Sequence, residues 1–253
     1  MRKTFLAIAG LLLAMLCGCG QGQKPGRATQ RGQAAATGKS GSTTAPAKPS
    51  RPRAHLHVPL SAEFQNIISL GSVNIVYTQG DAYSIELEGD SALLRHVNAD
   101  IECGVLTLAI QGEGDKDVNL YETNYGVTAR ITTPDLQVVS LCESGSFTCE
   151  GRWAVPHVHI GCMSTGRFDV ADLQCETFRF ESTGSDRSAF RRLRAQTVAL
   201  FAYRDCQSAF RVDCDRLEVD ASGESRLDLT GRAGSKAISH RGHSAINDKT
   251  TAQ

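Results

Sequence analysis

The sequence predicts an all-β chain whose body is a β-solenoid with coils of about 18–21 residues, and three observations predict it. The stretch from about Thr133 to Asn247 repeats, with rows opening near Leu136, His157, Thr177, Thr197, Leu217 and Lys236. Self-similarity at this period marks units that bury their apolar faces only against their neighbours. Two rows carry one string in phase, Ser188-Ala189-Phe190-Arg191 and Ser208-Ala209-Phe210-Arg211. Third, the chain has 24 glycines and only 6% aromatic residues, which suits short strands and tight turns better than a helical bundle.

The N-terminus is different in kind. Arg2-Lys3 followed by the apolar run Phe5 to Leu16 reads as a secretory signal over residues 1–18. The run is too short to span a bilayer comfortably. Leu16-Cys17-Gly18-Cys19 resembles a bacterial lipobox, with a leucine three before and a small residue one before the lipidated cysteine. Cys19 fits that pattern. Cys17 does not, because Leu16 would fill the small-residue slot. An acyl anchor of this kind contributes about 0.8 kcal/mol per buried CH₂. Residues 19–54 form a low-complexity linker with seven Lys or Arg after Gly20 and no acidic residue. Such a segment is expected to be disordered, with an r.m.s. span of roughly 30–35 Å. All 27 acidic residues follow it, so the body carries about −9 charges and offers no general footprint for nucleic acid.

The body is expected over residues 55–248, followed by a polar tail, 249–253. It opens with strand patterns at Ile67–Leu70 and Val73–Tyr77, broken at Gly71-Ser72. Tyr83, Ile85 and Leu87 alternate with polar residues as a half-buried strand. Asp90-Ser91 can cap a short helical turn carrying Leu93 and Leu94. Ala99–Glu102 and Leu106–Ile110 flank Cys103-Gly104, a hairpin turn. Gly112 to Asp117 is a polar loop, and Val127–Ile131 is the strand that leads into the repeats. The segment Phe64 to Ile131 is expected to cap one end of the solenoid or to form irregular first coils.

The turns of the repeats are Ser144-Gly145-Ser146, Ser164-Thr165-Gly166, Ser182 to Ser185, Ser222-Gly223-Glu224 and Arg241-Gly242-His243. The fourth row keeps the phase but has Tyr203-Arg204-Asp205 where the others have glycine. Alternation within the rows places Val138, Val158, Ile160, Phe178, Phe180, Val198, Leu200, Leu217, Val219 and Ile238 inward.

The ordered set Phe64, Ile67, Val73-Asn74-Ile75, Gln79-Gly80-Asp81, Leu93-Leu94, Gly104 to Leu108, Val127 to Ile131, Thr133-Pro134-Asp135-Leu136 and the Ser-Gly-Ser turns resembles the head GIN domain family. Members are described as autotransporter adhesins and are commonly secreted or lipid-anchored envelope proteins. The resemblance covers roughly His55 to Asp248. It implies a single-stranded right-handed parallel β-helix, and it brings no catalytic residues. The chain departs from the family pattern in its cysteine and arginine content and in turns from Ser164 to Asp205 that are poorer in glycine.

The residues themselves single out few sites. The Arg187, Arg191, Arg192 and Arg194 cluster could grip an acidic group, and Tyr203, Trp153, Tyr121 and Tyr125 are the few aromatics available to stack on a sugar. The simpler reading of the arginines is the solvated outer face of one coil. Cys142 and Cys162 lie one coil apart, within disulfide range for stacked strands. The alternative for the cysteines is small buried side chains. His157 and His159 share a strand face, and His240 and His243 flank a turn, but neither pair has a clear third ligand, so no metal is expected. No spacing among Asp169, Asp172, Asp186 and Asp205 stacks two of them and an arginine in phase, so no catalytic residue and no cofactor is expected. The reading is therefore a lipid-anchored protein of the cell envelope, on the outer membrane, facing the periplasm or the surface. Its solenoid is a non-enzymatic binding or adhesion module for a glycan, an envelope polymer or a protein. A polysaccharide-processing enzyme and a structural spacer are the alternatives.

Overall fold

The computed structural model describes residues 53–110 and 126–252, all within one compact unit, Pro49–Gln253. The signal segment, Cys19, almost all of the basic linker, the 112–117 loop, Tyr121 and Tyr125 lie outside the described residues.

The repeats form a parallel β-solenoid. On one face, β8 (Val138–Leu141) pairs with β10 (His157–Cys162), and β10 with β12 (Thr177–Ser182). The stack continues through the second half of β13 (Arg187–Ala202), then through the later parts of β14 (Gln207–Ala221) and β15 (Arg226–His240). On the other face, β9 (Ser146–Ala154) pairs with β11 (Arg167–Gln174). The first halves of β13, β14 and β15 follow, and β16 (Ala245–Thr251) comes last. The register is that of the repeated string: Ser188 pairs with Ser208, Ala189 with Ala209, and Phe190 with Phe210.

In-register stacking turns each inward position into an apolar ladder. Phe190 and Phe210 lie nearly parallel with centroids 5.0 Å apart, and Phe178 and Phe180 pack edge-on against them. Eight of the ten expected inward residues are buried; Val138 and Ile238 are not. The first repeat coil holds one extra residue, so Val138 stacks on His159, while Val139 and Leu141 turn inward. Ile238 follows Val219 in its ladder, but β16 covers only Arg226–Arg232, which leaves Ile238 38% exposed.

The C-terminal opening is closed by polar groups. Lys236 follows buried Leu217 and Asp248 follows buried Leu229, so both point toward the interior. Lys236 Nζ donates to Asp248 Oδ2 at 2.8 Å and to Thr250 Oγ1 at 2.9 Å. Partial burial pushes the Asp248 carboxyl up, but hydrogen bonds from Lys236 and Thr250 outweigh it and hold the group below its ordinary range. The residues Lys249 to Thr251, read from the sequence as a polar tail after the body, thus belong to β16 and to this plug. A polar terminal coil is what a solenoid needs to stop stacking.

The N-terminal region departs from simple winding. β2 (Asn66–Ser69) and β3 (Val73–Gln79) stack directly on β8 and β9. β6 (Val105–Ile110) and β7 (Val127–Thr133) stack on the far side of β2 and β3. Coil order therefore differs from chain order. The chain lays one coil, then the coil beyond it, and crosses back over Thr133–Gln137 to start the repeats. That crossover is tied down from several sides. Gln79 Nε2 donates to Pro134 O at 2.7 Å and to Ala154 O at 2.9 Å. Tyr77 OH donates to Thr133 O, and Trp153 Nε1 to Leu136 O.

Three antiparallel strands finish this end. β1 (Arg53–His57) pairs with β4 (Ser84–Asp90), β4 with β7, and β5 (Val97–Glu102) with β6. The expected cap is present: Asp90 accepts from Ala92 N at the start of α1 (Ser91–Leu94). The β5–β6 turn puts Cys103 and Gly104 both at positive φ, as a two-residue hairpin requires.

Candidate functional site

The solenoid's outer side chains also fall into ladders, about 4.8 Å per coil. The expected arginine cluster divides. A register shift between Phe190 and Leu193 turns Arg191 and Arg192 outward in succession. Arg191 grips Asp169 at 2.8 and 2.9 Å. Arg194 holds Asp172 at 2.9 Å, with Arg192 at 3.6 Å from the same carboxylate. These three are paired with two acids of the preceding coil. Arg194 also lines a shallow groove of about 620 Å³ with Val155, Cys175, Ala195, Asp213 and Asp215.

Arg187 belongs to another set. It stacks on Arg167, and two coils later, past Gln207, on Arg226. All three arginines are exposed, and none makes an ion pair among the described residues. Arg167 and Arg226 were absent from the sequence-based cluster, although Arg167 lies the same twenty residues from Arg187 that separates the coils. Like charges about 5–10 Å apart lie within a Debye length at physiological salt. They repel in the free protein, and a bound anion would relieve that repulsion.

Tyr203 sits away from the Arg191 to Arg194 group, at the end of the opposite face. Its ladder runs Met163, Thr183, Tyr203, Ser222 and Arg241, the continuation of the β10, β12, β13, β14 and β15 register. The neighbouring ladder runs Gly161, Glu181, Phe201 and Asp220. Arg179 lies over the Phe201 ring at 4.4 Å and donates through Nε to Glu181 Oε1 at 2.7 Å. Partial burial, with the charges of Asp220 and Glu181, raises the Tyr203 phenol above its ordinary value; Arg241 and Arg179 act the other way. Trp153 is fully buried and is no part of any surface.

The four aspartates singled out from the sequence are each engaged separately. Asp169 and Asp172 are held by arginines, and Asp205 accepts from Ser185 at a corner. Asp186 is buried, accepting from Ser182, Ser188 and Ser208. Two carboxylates facing one substrate gap, as glycoside hydrolysis requires, are not formed among these four. His157 bonds Thr177 at 2.8 Å, His159 lies 3.7 Å from Glu181, and no metal-ligand cluster occurs among the described residues.

Cys142 lies one position out of register with Cys162, whose partner is Leu141, and both are free thiols in the structure. Burial pushes Cys149 to about 11 and Cys162 and Cys175 to about 12. Thiols held so high are structural rather than nucleophilic. Among the described residues no helix is long and apolar enough to cross a membrane.

Two solved structures share this architecture. One is an adhesin-described protein from Bacteroides fragilis NCTC 9343, 19% identical, with a TM-score of 0.57, covering 78% of this chain and 97% of that one. The other, similarly described, is from Parabacteroides merdae ATCC 43184, 14% identical, with a TM-score of 0.53, covering 79% and 95%. At such identity the likeness shows the fold alone. No curated protein matches the sequence. Residues 63–188 match the family model described as "Putative auto-transporter adhesin, head GIN domain". With the ordered motifs and the solenoid in agreement, the chain belongs to the head GIN domain family.

Proposed function

We propose that this protein is a lipid-anchored binding module of the cell envelope, without catalytic activity, whose arginine ladder engages an acidic glycan or a similar anionic polymer. The observation that carries the reading is the stack of Arg167, Arg187 and Arg226, exposed and without ion pairs among the described residues. A linear polymer with recurring acidic groups can meet several rungs at once, since the ladder runs across the coils. The adhesin descriptions of the family and of the two similar structures are consistent with an envelope role. Cys19 supplies the anchor, and the basic linker lets the domain stand clear of the bilayer. The non-enzymatic reading is supported by the dispersal of Asp169, Asp172, Asp186 and Asp205.

The anchor is tested by Cys19→Ala, which should move the protein from the membrane to the soluble fraction; retention in the membrane would reject lipidation there. The binding surface is tested with the full-length protein against polygalacturonate, alginate and heparin, with neutral dextran as control, over a salt series. Reversing Arg167, Arg187 and Arg226 to glutamate should weaken acidic-polymer binding about ten- to a hundredfold, as loss of several exposed ion pairs implies, and flatten its salt dependence. Neutralising Arg192 and Arg194, already engaged by Asp172, should have a far smaller effect. Binding that ignores the ladder would reject the surface, turnover of any polymer would favour an enzyme, and silence throughout would favour a spacer.

A further inference from the structure

The Met163–Thr183–Tyr203 ladder has a property the arginine face lacks. Met163 is one of only three large hydrophobic side chains exposed among the described residues, at 48%. It lies two coils from Tyr203, with the smaller Thr183 between. Two coils are about 10 Å. A ring touching an apolar wall on each side needs about 7–8 Å, twice a carbon–carbon contact of about 3.5–4.0 Å. Coil spacing alone therefore leaves room for one saturated ring between the two side chains.

The rim of the gap is polar and held in place. Glu181 is two residues before Thr183 on the same strand. Its Oε1 is fixed by Arg179, and Arg179 is itself braced on Phe201. Among the described residues its Oε2 has only His159, at 3.7 Å, which is beyond hydrogen-bond distance. On the far side of Tyr203, Asp220 is held by Ser239 at 3.0 Å and Arg241 at 3.3 Å. An apolar slot with a pre-oriented carboxylate at its edge complements a pyranose, which has an apolar face and a rim of hydroxyl donors. An aromatic wall on such a face contributes stacking, and an oriented acceptor fixes the ring's direction.

We propose that the slot between Met163 and Tyr203, floored by Thr183 and edged by Glu181, is a subsite for a single pyranose ring of a glycan. This rests on the glycan-binding reading above but uses a different face and no arginine of the ladder. The test uses full-length protein labelled with ¹³C at methionine methyls and tyrosine rings, titrated with cellohexaose, maltohexaose and laminarihexaose. At least one sugar should shift the Met163 methyl and the Tyr203 ring together and saturably. Tyr203→Ala and Met163→Ala should each weaken that binding about fivefold, the scale of one stacking contact. Glu181→Gln, which keeps the size of the side chain, should weaken it as well. The Arg167, Arg187 and Arg226 reversal should leave neutral-sugar binding unchanged. If no sugar perturbs both probes, or if the Met163 methyl shift survives unweakened in Tyr203→Ala and the Tyr203 ring shift in Met163→Ala, the subsite is wrong. Arginine-dependent binding of acidic polymers in the same protein would then leave the arginine reading standing; loss of both would reject the two together.

Discussion

Adding a single methyl group at Gly184 should cost about 2–4 kcal/mol of unfolding free energy. A Cβ there would lie 1.9 Å from Ser164 O, 2.7 Å from its carbonyl carbon and 2.8 Å from its nitrogen. These are backbone atoms of the coil below and cannot rotate away. The same carbonyl accepts from Ser185 N at 2.8 Å, so opening the corner to admit the methyl also stretches a hydrogen bond between coils. Overpacking typically costs about 1–3 kcal/mol, and a lost backbone bond adds about 1 kcal/mol. A position in the same ladder provides the contrast. Arg204 stands two turns before Gly242 in a corner where Gly223 and Gly242 have φ of 74° and 73°, and it adopts φ 71° itself. The left-handed region costs a non-glycine residue about 1–2 kcal/mol, partly offset in glycine by about 0.5–1 kcal/mol of extra chain entropy. Arg204→Gly should therefore be neutral or stabilise by up to about 1 kcal/mol. Denaturant midpoints at constant m decide both. A loss below about 1 kcal/mol for Gly184→Ala would mean that the corners are looser than the structure shows.

The same corners show which parts of the molecule can be read from sequence. The Ser188 and Ser208 strings fixed the coil register because identical side chains recur where the backbone repeats, and both pair as expected. Alternation found most inward residues for the same reason. It failed at Val138, where one inserted residue shifts the phase, and at Ile238, where burial depends on a coil that does not extend far enough. The N-terminal coils were legible as strands but not as an order. Their pairings join Asn66 to Val105, Val73 to Val127 and Asn66 to Val138, offsets of 39, 54 and 72 with no common period. The arginine cluster was visible, but the pairing of three of its members with Asp169 and Asp172 was not. Asp169 with Arg191 and Asp172 with Arg194 are both 22 residues apart, two positions beyond the constant 20-residue register of β11 on β13, so they are diagonal pairs rather than direct ladder partners. Arg167 and Met163 did sit at the coil period from Arg187 and Thr183. Nothing in their residue types marked them, since an outward ladder is under no packing demand to repeat one side chain.

Truncating Trp153 to alanine should cost about 4–8 kcal/mol, more than the Gly184 change, and its damage should be local. The indole is fully buried on β9, with its centroid 5.4 Å from Tyr77 and 5.5 Å from Phe147. Loss of such a ring costs about 3–5 kcal/mol through transfer and cavity terms. Its Nε1 also donates to Leu136 O at 2.9 Å, and a carbonyl stranded in the core adds about 1–3 kcal/mol. Leu136 lies in the crossover that returns the chain from β7 to β8, and Tyr77 OH secures the same segment at Thr133 O. The parallel ladder can repeat only if that crossover lies flat, because Gln137 N must reach Gln65 O and Gln137 O must receive His159 N. Trp153→Phe keeps most of the ring and removes the donor, so it should cost about 1–3 kcal/mol; the difference between the two variants isolates packing from the hydrogen bond. Solenoid coils are coupled to their nearest neighbours. Hydrogen exchange in Trp153→Ala should therefore accelerate most at the amides of Gln137, Val138 and His159 and least in β15 and β16. Uniform acceleration along the whole stack would mean that the crossover is not a local keystone and that the solenoid unfolds as one unit.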